Sequence, residues 1–119
     1  MKFILILLLS LSIHSQQKVT STCYNATKEQ CNADFQHTAS MFRLNLDNPY
    51  SHRILAVSRD LETKGFILGS TVLVTGAGKY NGVWTIRDRT NKRWKERIDF
   101  LVNIEMPVGK WNNVKICVL

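Results

Sequence analysis

The chain has 119 residues, with 16 lysines and arginines against nine aspartates and glutamates, so its formal charge is +7. This length fits one domain and is too short for a Rossmann or TIM-barrel enzyme. Hydrophobic residues make up 45% of the chain, which excludes a disordered protein.

The first fifteen residues have the pattern of a secretory leader. Lys2 precedes an apolar run over residues 3–13, and Ser15 supplies a small residue before Gln16. The run is shorter than the roughly 20 apolar residues of a membrane-spanning helix. We therefore expect cleavage after Ser15, and a mature chain of residues 16–119 that is secreted or periplasmic and has no stable membrane insertion.

Six short segments have the alternation or the β-branched content of strands. They are residues 18–24, 53–57, 71–75, 82–86, 97–102 and 113–118. Residues 25–52 hold no sustained period, which predicts a long connection that carries function or is fixed by its own contacts. Ser58 is placed to cap a short helix over residues 59–64. The pattern predicts an all-β fold, a small six-stranded barrel or sandwich with one or two short helices.

Three cysteines follow the leader: Cys23, Cys31 and Cys117. Export permits a disulfide, and an odd number leaves one cysteine over. Cys23 and Cys117 lie in alternating segments near opposite ends of the chain, and the ends of small domains are often close together. The sequence therefore favours a disulfide between these two. No spacing of cysteine, histidine and aspartate matches a metal site.

Three aspartates follow apolar strands: Asp60, Asp88 and Asp99. A closed barrel can bring them to one groove, where mutual repulsion raises the pKa of at least one carboxyl. A carboxyl that holds its proton near neutral pH can protonate the leaving oxygen of a glycosidic bond. The alternative is structural, with Asp60 in the first turn of the helix and the other two paired with nearby arginines. His37 and His52 are further acid–base candidates, although a solvated or capping role is the simpler interpretation.

Much of the positive charge is concentrated in one stretch, formed by Arg87, Arg89, Lys92, Arg93, Lys95 and Arg97. Such a stretch attracts polyanions, which outside the cell are wall carboxylates, teichoic acids or lipid headgroups rather than nucleic acid. The alternative is that these residues form a solvated loop that serves only solubility. Trp94, within this stretch, is a candidate for stacking on a sugar, and Tyr24 is another at a strand end. Trp84 alternates within a strand and is expected in the core.

Several short motifs occur in an order that resembles a known family. They are residues 38–40 (TAS), 56–60 (AVSRD), 69–72 (GSTV), 82–88 (GVWTIRD), 91–94 (NKRW) and 97–99 (RID). This order resembles the three-aspartate (3D) domain, a double-psi β-barrel related to membrane-bound lytic transglycosylase A, rare lipoprotein A and the expansins. The resemblance extends over about residues 20–118.

The resemblance implies an enzyme that cleaves peptidoglycan between MurNAc and GlcNAc without a cofactor or metal. By position Asp99 resembles the acid/base, which protonates the glycosidic oxygen and then takes the proton of the MurNAc C6 hydroxyl as a 1,6-anhydro ring closes. Asp88 and Asp60 would support it. The expected substrate-binding residues are Trp94, Arg87, Arg93, Arg97, Tyr24, Thr38 and Ser40. The alternative is a non-catalytic wall-binding module, as in expansins. In either case we expect a monomer.

Overall fold

Six strands close into a barrel in the computed structural model, which describes residues 16–31 and 34–119. The strands are β1 (Gln16–Tyr24), β2 (Ile54–Val57), β3 (Thr71–Thr75), β4 (Gly82–Arg89), β5 (Arg97–Leu101) and β6 (Trp111–Val118). They follow one another around the barrel as β1-β5-β2-β4-β3-β6. The β1–β5 and β2–β4 pairs are parallel, and the other four pairs are antiparallel. The predicted all-β barrel is confirmed, whereas the predicted leader lies outside the described residues.

Aromatic side chains fill the centre of the barrel. Trp84, Tyr80 and Phe100 are almost completely buried, and the rings of Tyr80 and Phe100 stack with their centroids 5.5 Å apart. The indole N–H of Trp84 donates to the Tyr80 carbonyl at 2.8 Å, so its one polar group is satisfied. Burying each such side chain contributes about 2–3 kcal/mol. The expectation that Trp84 belongs to the core is confirmed.

The long connection between β1 and β2 covers part of the barrel's outer face. Leu44 from this connection packs with Ile54 and Leu101, and the partly buried Tyr24 and Phe42 extend the cluster. Within the described residues the connection contains one isolated β-bridge and the 3-10 helix Pro49–His52, and no strand. Of the two predicted alternatives, a functional connection or one fixed by its contacts, these contacts support the second.

A single turn of helix, α1 (Arg59–Glu62), follows β2 and is shorter than predicted. Ser58 holds the N-cap position, but its side chain makes no capping hydrogen bond. Instead its hydroxyl accepts from the Arg97 amide at 3.0 Å, and its own amide donates to the Arg97 carbonyl at 2.9 Å. Ser58 therefore joins the end of β2 to the start of β5. No helix among the described residues is long and apolar enough to span a membrane.

The predicted disulfide between Cys23 and Cys117 is wrong because the strand register separates the two residues. Cys117 lies opposite Gln16 at the start of β1, whereas Cys23 lies opposite Phe100 near its end. Seven residues of strand separate these positions, or about 23 Å at roughly 3.3 Å per residue. A disulfide needs Cα atoms within about 7 Å. Gln16 and Cys117 do lie opposite each other, but Cys23 lies seven residues further along β1.

Candidate functional site

A groove of about 750 Å³ lies on the outer face of the barrel, between the strands and the β1–β2 connection. Its floor is a row of residues that are neighbours in the strand register: Thr22, Asp99, Ala56 and Asp88. Ala56 pairs with both aspartates, so their Cα atoms are two strand spacings apart, or about 10 Å. The small alanine leaves open space between two carboxylates.

An irregularity in β4 brings Asp88 to this face. Leu55 pairs with Ile86, but the next residue, Ala56, pairs with Asp88, so Arg87 is an extra residue in the ladder. In a regular strand Asp88 would share the inward face of Ile86, because side chains two residues apart point the same way. The β-bulge at Arg87 turns Asp88 outward into the groove.

Asp99 accepts a hydrogen bond and faces a guanidinium group. The Thr22 hydroxyl donates to Asp99 Oδ1, and Arg97 Nη2 donates to that hydroxyl at 2.9 Å. Arg97 Nε lies 3.6 Å from Asp99 Oδ1. The side chains of Arg97 and Asp99 are 16% and 19% exposed, so solvent screens this pair only in part. The three residues form one fixed network of donors and acceptors.

Trp94 lines the groove beside this network and carries two arginines against its ring. The guanidinium carbon of Arg97 lies 3.8 Å from the ring centroid, and that of Arg93 lies 4.7 Å from it. Both distances are within the range of cation–π attraction. The predicted Trp94, Arg93 and Arg97 are therefore together at the groove, with the indole ring positioning the two arginines.

Asp88 is surrounded by neutral donors. Its Oδ2 accepts from the Tyr24 hydroxyl at 3.1 Å, and its Oδ1 accepts from the amides of Ala39 at 3.1 Å and Arg89 at 3.0 Å. Burial raises the pKa of Tyr24 well above its usual range, and the charge of Asp88 raises it further. Tyr24 therefore remains a hydrogen-bond donor at all physiological pH values.

The contact with Ala39 belongs to a short segment, residues 38–42, which we call the strap. The Ser40 amide donates to the Arg87 carbonyl at 3.1 Å, and the Arg87 guanidinium lies 4.5 Å from the centre of the Phe42 ring. Within the strap, the hydroxyls of Thr38 and Ser40 are 3.0 Å apart. Thr38 lines the groove, whereas Arg87 and Ser40 are not lining residues and hold the strap on β4.

Asp60 does not line the groove and fixes the loop before β5 instead. Its Oδ2 accepts from the Glu96 amide at 2.9 Å. Partial burial raises the pKa of this carboxyl, but hydrogen bonds from Ser58 and from the backbone, together with the charge of Lys64, outweigh burial and lower the pKa below its ordinary value. The structure thus brings Asp88 and Asp99 to one groove and leaves Asp60 outside it.

The two histidines that the sequence suggested as acid–base candidates have local partners. His37 Nδ1 lies 2.9 Å from Asp34 Oδ1 at the groove wall, and His52 Nε2 accepts from the Asn45 amide at 2.8 Å. Burial raises the pKa of the Cys31 thiol, which disfavours a thiolate nucleophile. Among the residues that the structure describes, no three His, Cys, Asp or Glu side chains have the arrangement of a metal site.

Thr22 and Arg59 are among the lining residues that were not predicted as site residues. Thr22 lies two positions before Tyr24, so the alternation of β1 already places both side chains on one face. Arg59 immediately precedes Asp60, yet only the neighbouring strands determine that the arginine, rather than the aspartate, reaches the groove.

The fold defines this chain as a six-stranded barrel of the double-psi type. It is similar to the solved structure of the Streptomyces papain inhibitor, with a TM-score of 0.56 and 14% sequence identity over 87% of this chain and 94% of that one. At this identity the likeness concerns the fold alone. No protein-family model and no curated protein matches the sequence.

Proposed function

We propose that this protein is a secreted or periplasmic glycan-binding protein of the bacterial cell envelope, and that its outer groove holds a peptidoglycan glycan strand. The observation that carries the proposal is the network of Thr22, Asp99 and Arg97 beside Trp94. Fixed donors and acceptors next to an aromatic ring suit sugar rings, which present hydroxyls at their edges and C–H groups on their faces. The volume of about 750 Å³ is within the usual range for ligand sites.

The resemblance to the 3D domain supports the same proposal. Three of the motifs that carry it, residues 56–60, 82–88 and 97–99, begin or lie on β2, β4 and β5. These three strands are neighbours in the barrel and supply Ala56, Asp88 and Asp99 to the groove floor. The residues of the resemblance and the residues of the groove therefore coincide at these strands.

Cleavage of the bound strand, with Asp99 as acid/base, is the second candidate function. It is favoured by the position of Asp99 in the groove, across Ala56 from Asp88. Protonating a leaving oxygen requires a carboxylic acid that donates its proton. In the structure Asp99 accepts a hydrogen bond from Thr22 and lies against Arg97, so its Oδ1 already faces two protein donors. For this reason we place binding before catalysis.

The test incubates residues 16–119 with purified peptidoglycan, measures the protein that sediments with it, and analyses the supernatant by mass spectrometry. If the protein binds without cleaving, the wild type and Asp99→Asn should both sediment with peptidoglycan, and the supernatant should contain no soluble muropeptides. Trp94→Ala should bind at least about tenfold more weakly, because it lacks the ring that positions Arg93 and Arg97. Asp47→Asn, an exposed aspartate outside the groove, is the matched control for Asp99→Asn.

Each other outcome has a definite meaning. Products ending in 1,6-anhydro-MurNAc from the wild type, and none from Asp99→Asn, would establish the transglycosylase. Products with reducing ends would indicate a hydrolase. If the wild type neither sediments with peptidoglycan nor releases products, the proposed function is wrong.

A further inference from the structure

Four arginines and three aspartates are among the described residues that line the groove, and most of these charges are paired locally. Arg89 Nε lies 2.5 Å from Glu62, and Arg97 faces Asp99. Asp34 lies against His37. Two arginines differ from the rest, because the guanidinium groups of Arg59 and Arg93 have no hydrogen bond or ion pair within the part of the chain that the structure describes.

Hydrogen bonds fix the main chain that carries these two arginines. Arg59 lies between Ser58, which is bonded to the Arg97 backbone, and Asp60, which accepts from the Glu96 amide. The Arg93 amide donates to Asn91 Oδ1 at 3.1 Å, and its guanidinium group rests against Trp94. Both side chains are exposed, so solvent screens their charges, but neither has a described protein anion within ion-pair distance, and a bound anion would supply one.

We infer that Arg59 and Arg93 form a subsite for carboxylate groups of the bound glycan, so that the groove selects acidic glycan strands over neutral ones. The inference rests on the proposed function and specifies its ligand. Arginine is suited to this role because its planar donors match the two oxygens of a carboxylate.

The groove floor favours a carboxylated glycan over a polyphosphate. Asp88 and Asp99 are acceptors for sugar hydroxyls, and they would repel a chain that carries a charge at every unit. A strand in which single carboxylates alternate with neutral sugars can place its charge at the two arginines and its hydroxyls at the aspartates. A GlcNAc–MurNAc strand from which the stem peptides have been removed has this pattern, with one free lactyl carboxylate in each disaccharide.

The test is calorimetric titration of residues 16–119 with four defined polymers: a peptide-free GlcNAc–MurNAc glycan, the same glycan with its carboxylates converted to amides, a neutral GlcNAc oligomer of equal length, and a poly(ribitol phosphate). The acidic glycan should bind at least about tenfold more tightly than its amidated form or the GlcNAc oligomer, as expected for two charge-assisted contacts.

Variants locate the effect within the groove. Arg59→Gln and Arg93→Gln should each weaken binding of the acidic glycan by about three- to tenfold and leave the amidated glycan unaffected. Arg43→Gln makes the same charge change at an exposed position outside the groove and should bind like the wild type. A melting curve for each variant verifies that it is folded.

Several outcomes would overturn the inference. Equal binding of the acidic, amidated and neutral glycans would remove the subsite while leaving the proposed function intact. An equal loss in Arg43→Gln would show general charge attraction, and binding of the polyphosphate alone would assign the arginines to a different polymer. Binding of none of the four polymers would contradict the proposed function itself.

Discussion

Asp60 shows how one side chain fixes the geometry of the groove without lining it. Its carboxylate accepts from the Glu96 amide and thereby joins α1 to the loop that carries Arg93 and Trp94. The lowered pKa of Asp60 means that the folded protein prefers the charged form. A group whose pKa is lower in the folded state stabilises the fold when it is ionised and loses that contribution when it is protonated.

Asp60→Asn should lower the free energy of unfolding by about 1–2 kcal/mol at pH 7, since the amide is a weaker acceptor for the Glu96 amide and has no charge to attract Lys64. The difference from the wild type should be complete above the ordinary pKa of 3.8 and should vanish as the pH falls through the lower folded value. Urea unfolding between pH 2.5 and 7 measures this difference.

Asp47→Asn is the control for that measurement, because Asp47 is exposed and lies outside the groove. If Asp60→Asn and the wild type differ by the same amount at pH 2.5 as at pH 7, the ionised carboxylate is not what stabilises the loop.

At the scale of elements, β4 and the strap depend on each other. The bulge at Arg87 turns Asp88 outward, and Asp88 then accepts from the Ala39 amide. Arg87 adds two further contacts to the strap. Its carbonyl accepts a hydrogen bond from the Ser40 amide, and its guanidinium group lies over the Phe42 ring. One irregular residue in a strand thus creates a groove wall from a segment that has no regular structure of its own.

Asp88→Ala should release the strap locally while the barrel stays folded. The Ala39 amide loses its acceptor, so its hydrogen exchange should accelerate by about tenfold or more. The Ser40 amide keeps its bond to the Arg87 carbonyl and should change much less, which makes it an internal reference. Exchange measured by NMR distinguishes the two amides, and Asp47→Ala is the control.

An unchanged exchange rate at Ala39 would mean that the Asp88 carboxylate does not hold the strap. Equal acceleration at Ala39 and Ser40 would mean that the whole segment opens as one unit.

The sequence predicted the strands well because each has a local pattern. Trp84 and Ile86 lie on either side of the polar Thr85 in β4, and this alternation places Trp84 in the core. The site was predicted only in part. Asp88 faces outward because of a bulge, which becomes visible only when β2 pairs with β4. Asp60 lies outside the groove and accepts a hydrogen bond from the Glu96 amide, 36 residues along the chain. The error at Cys23 and Cys117 has the same origin, since register is a property of paired strands.

For the whole molecule, closure of the barrel depends on its first residues. Gln16–Val19, the first part of β1, pairs with Val114–Cys117 of β6, while the second part of β1 pairs with β5. Val19 is only 2% exposed and belongs to the core. β1 therefore closes the barrel between β6 and β5, and it also carries Thr22 and Tyr24 into the groove.

Removing residues 1–19 should open the barrel, whereas removing residues 1–15 should leave it intact. The longer deletion removes the buried Val19 and the β1–β6 hydrogen bonds of four residues, which costs on the order of 3–6 kcal/mol. That is a large part of the roughly 5–15 kcal/mol that stabilises a typical domain.

In thermal unfolding, residues 20–119 should melt at least about 10 °C below residues 16–119, or without a cooperative transition. Equal melting temperatures would mean that the pairing of β1 with β6 is dispensable, and that the β1 residues of the groove are held by β5 alone.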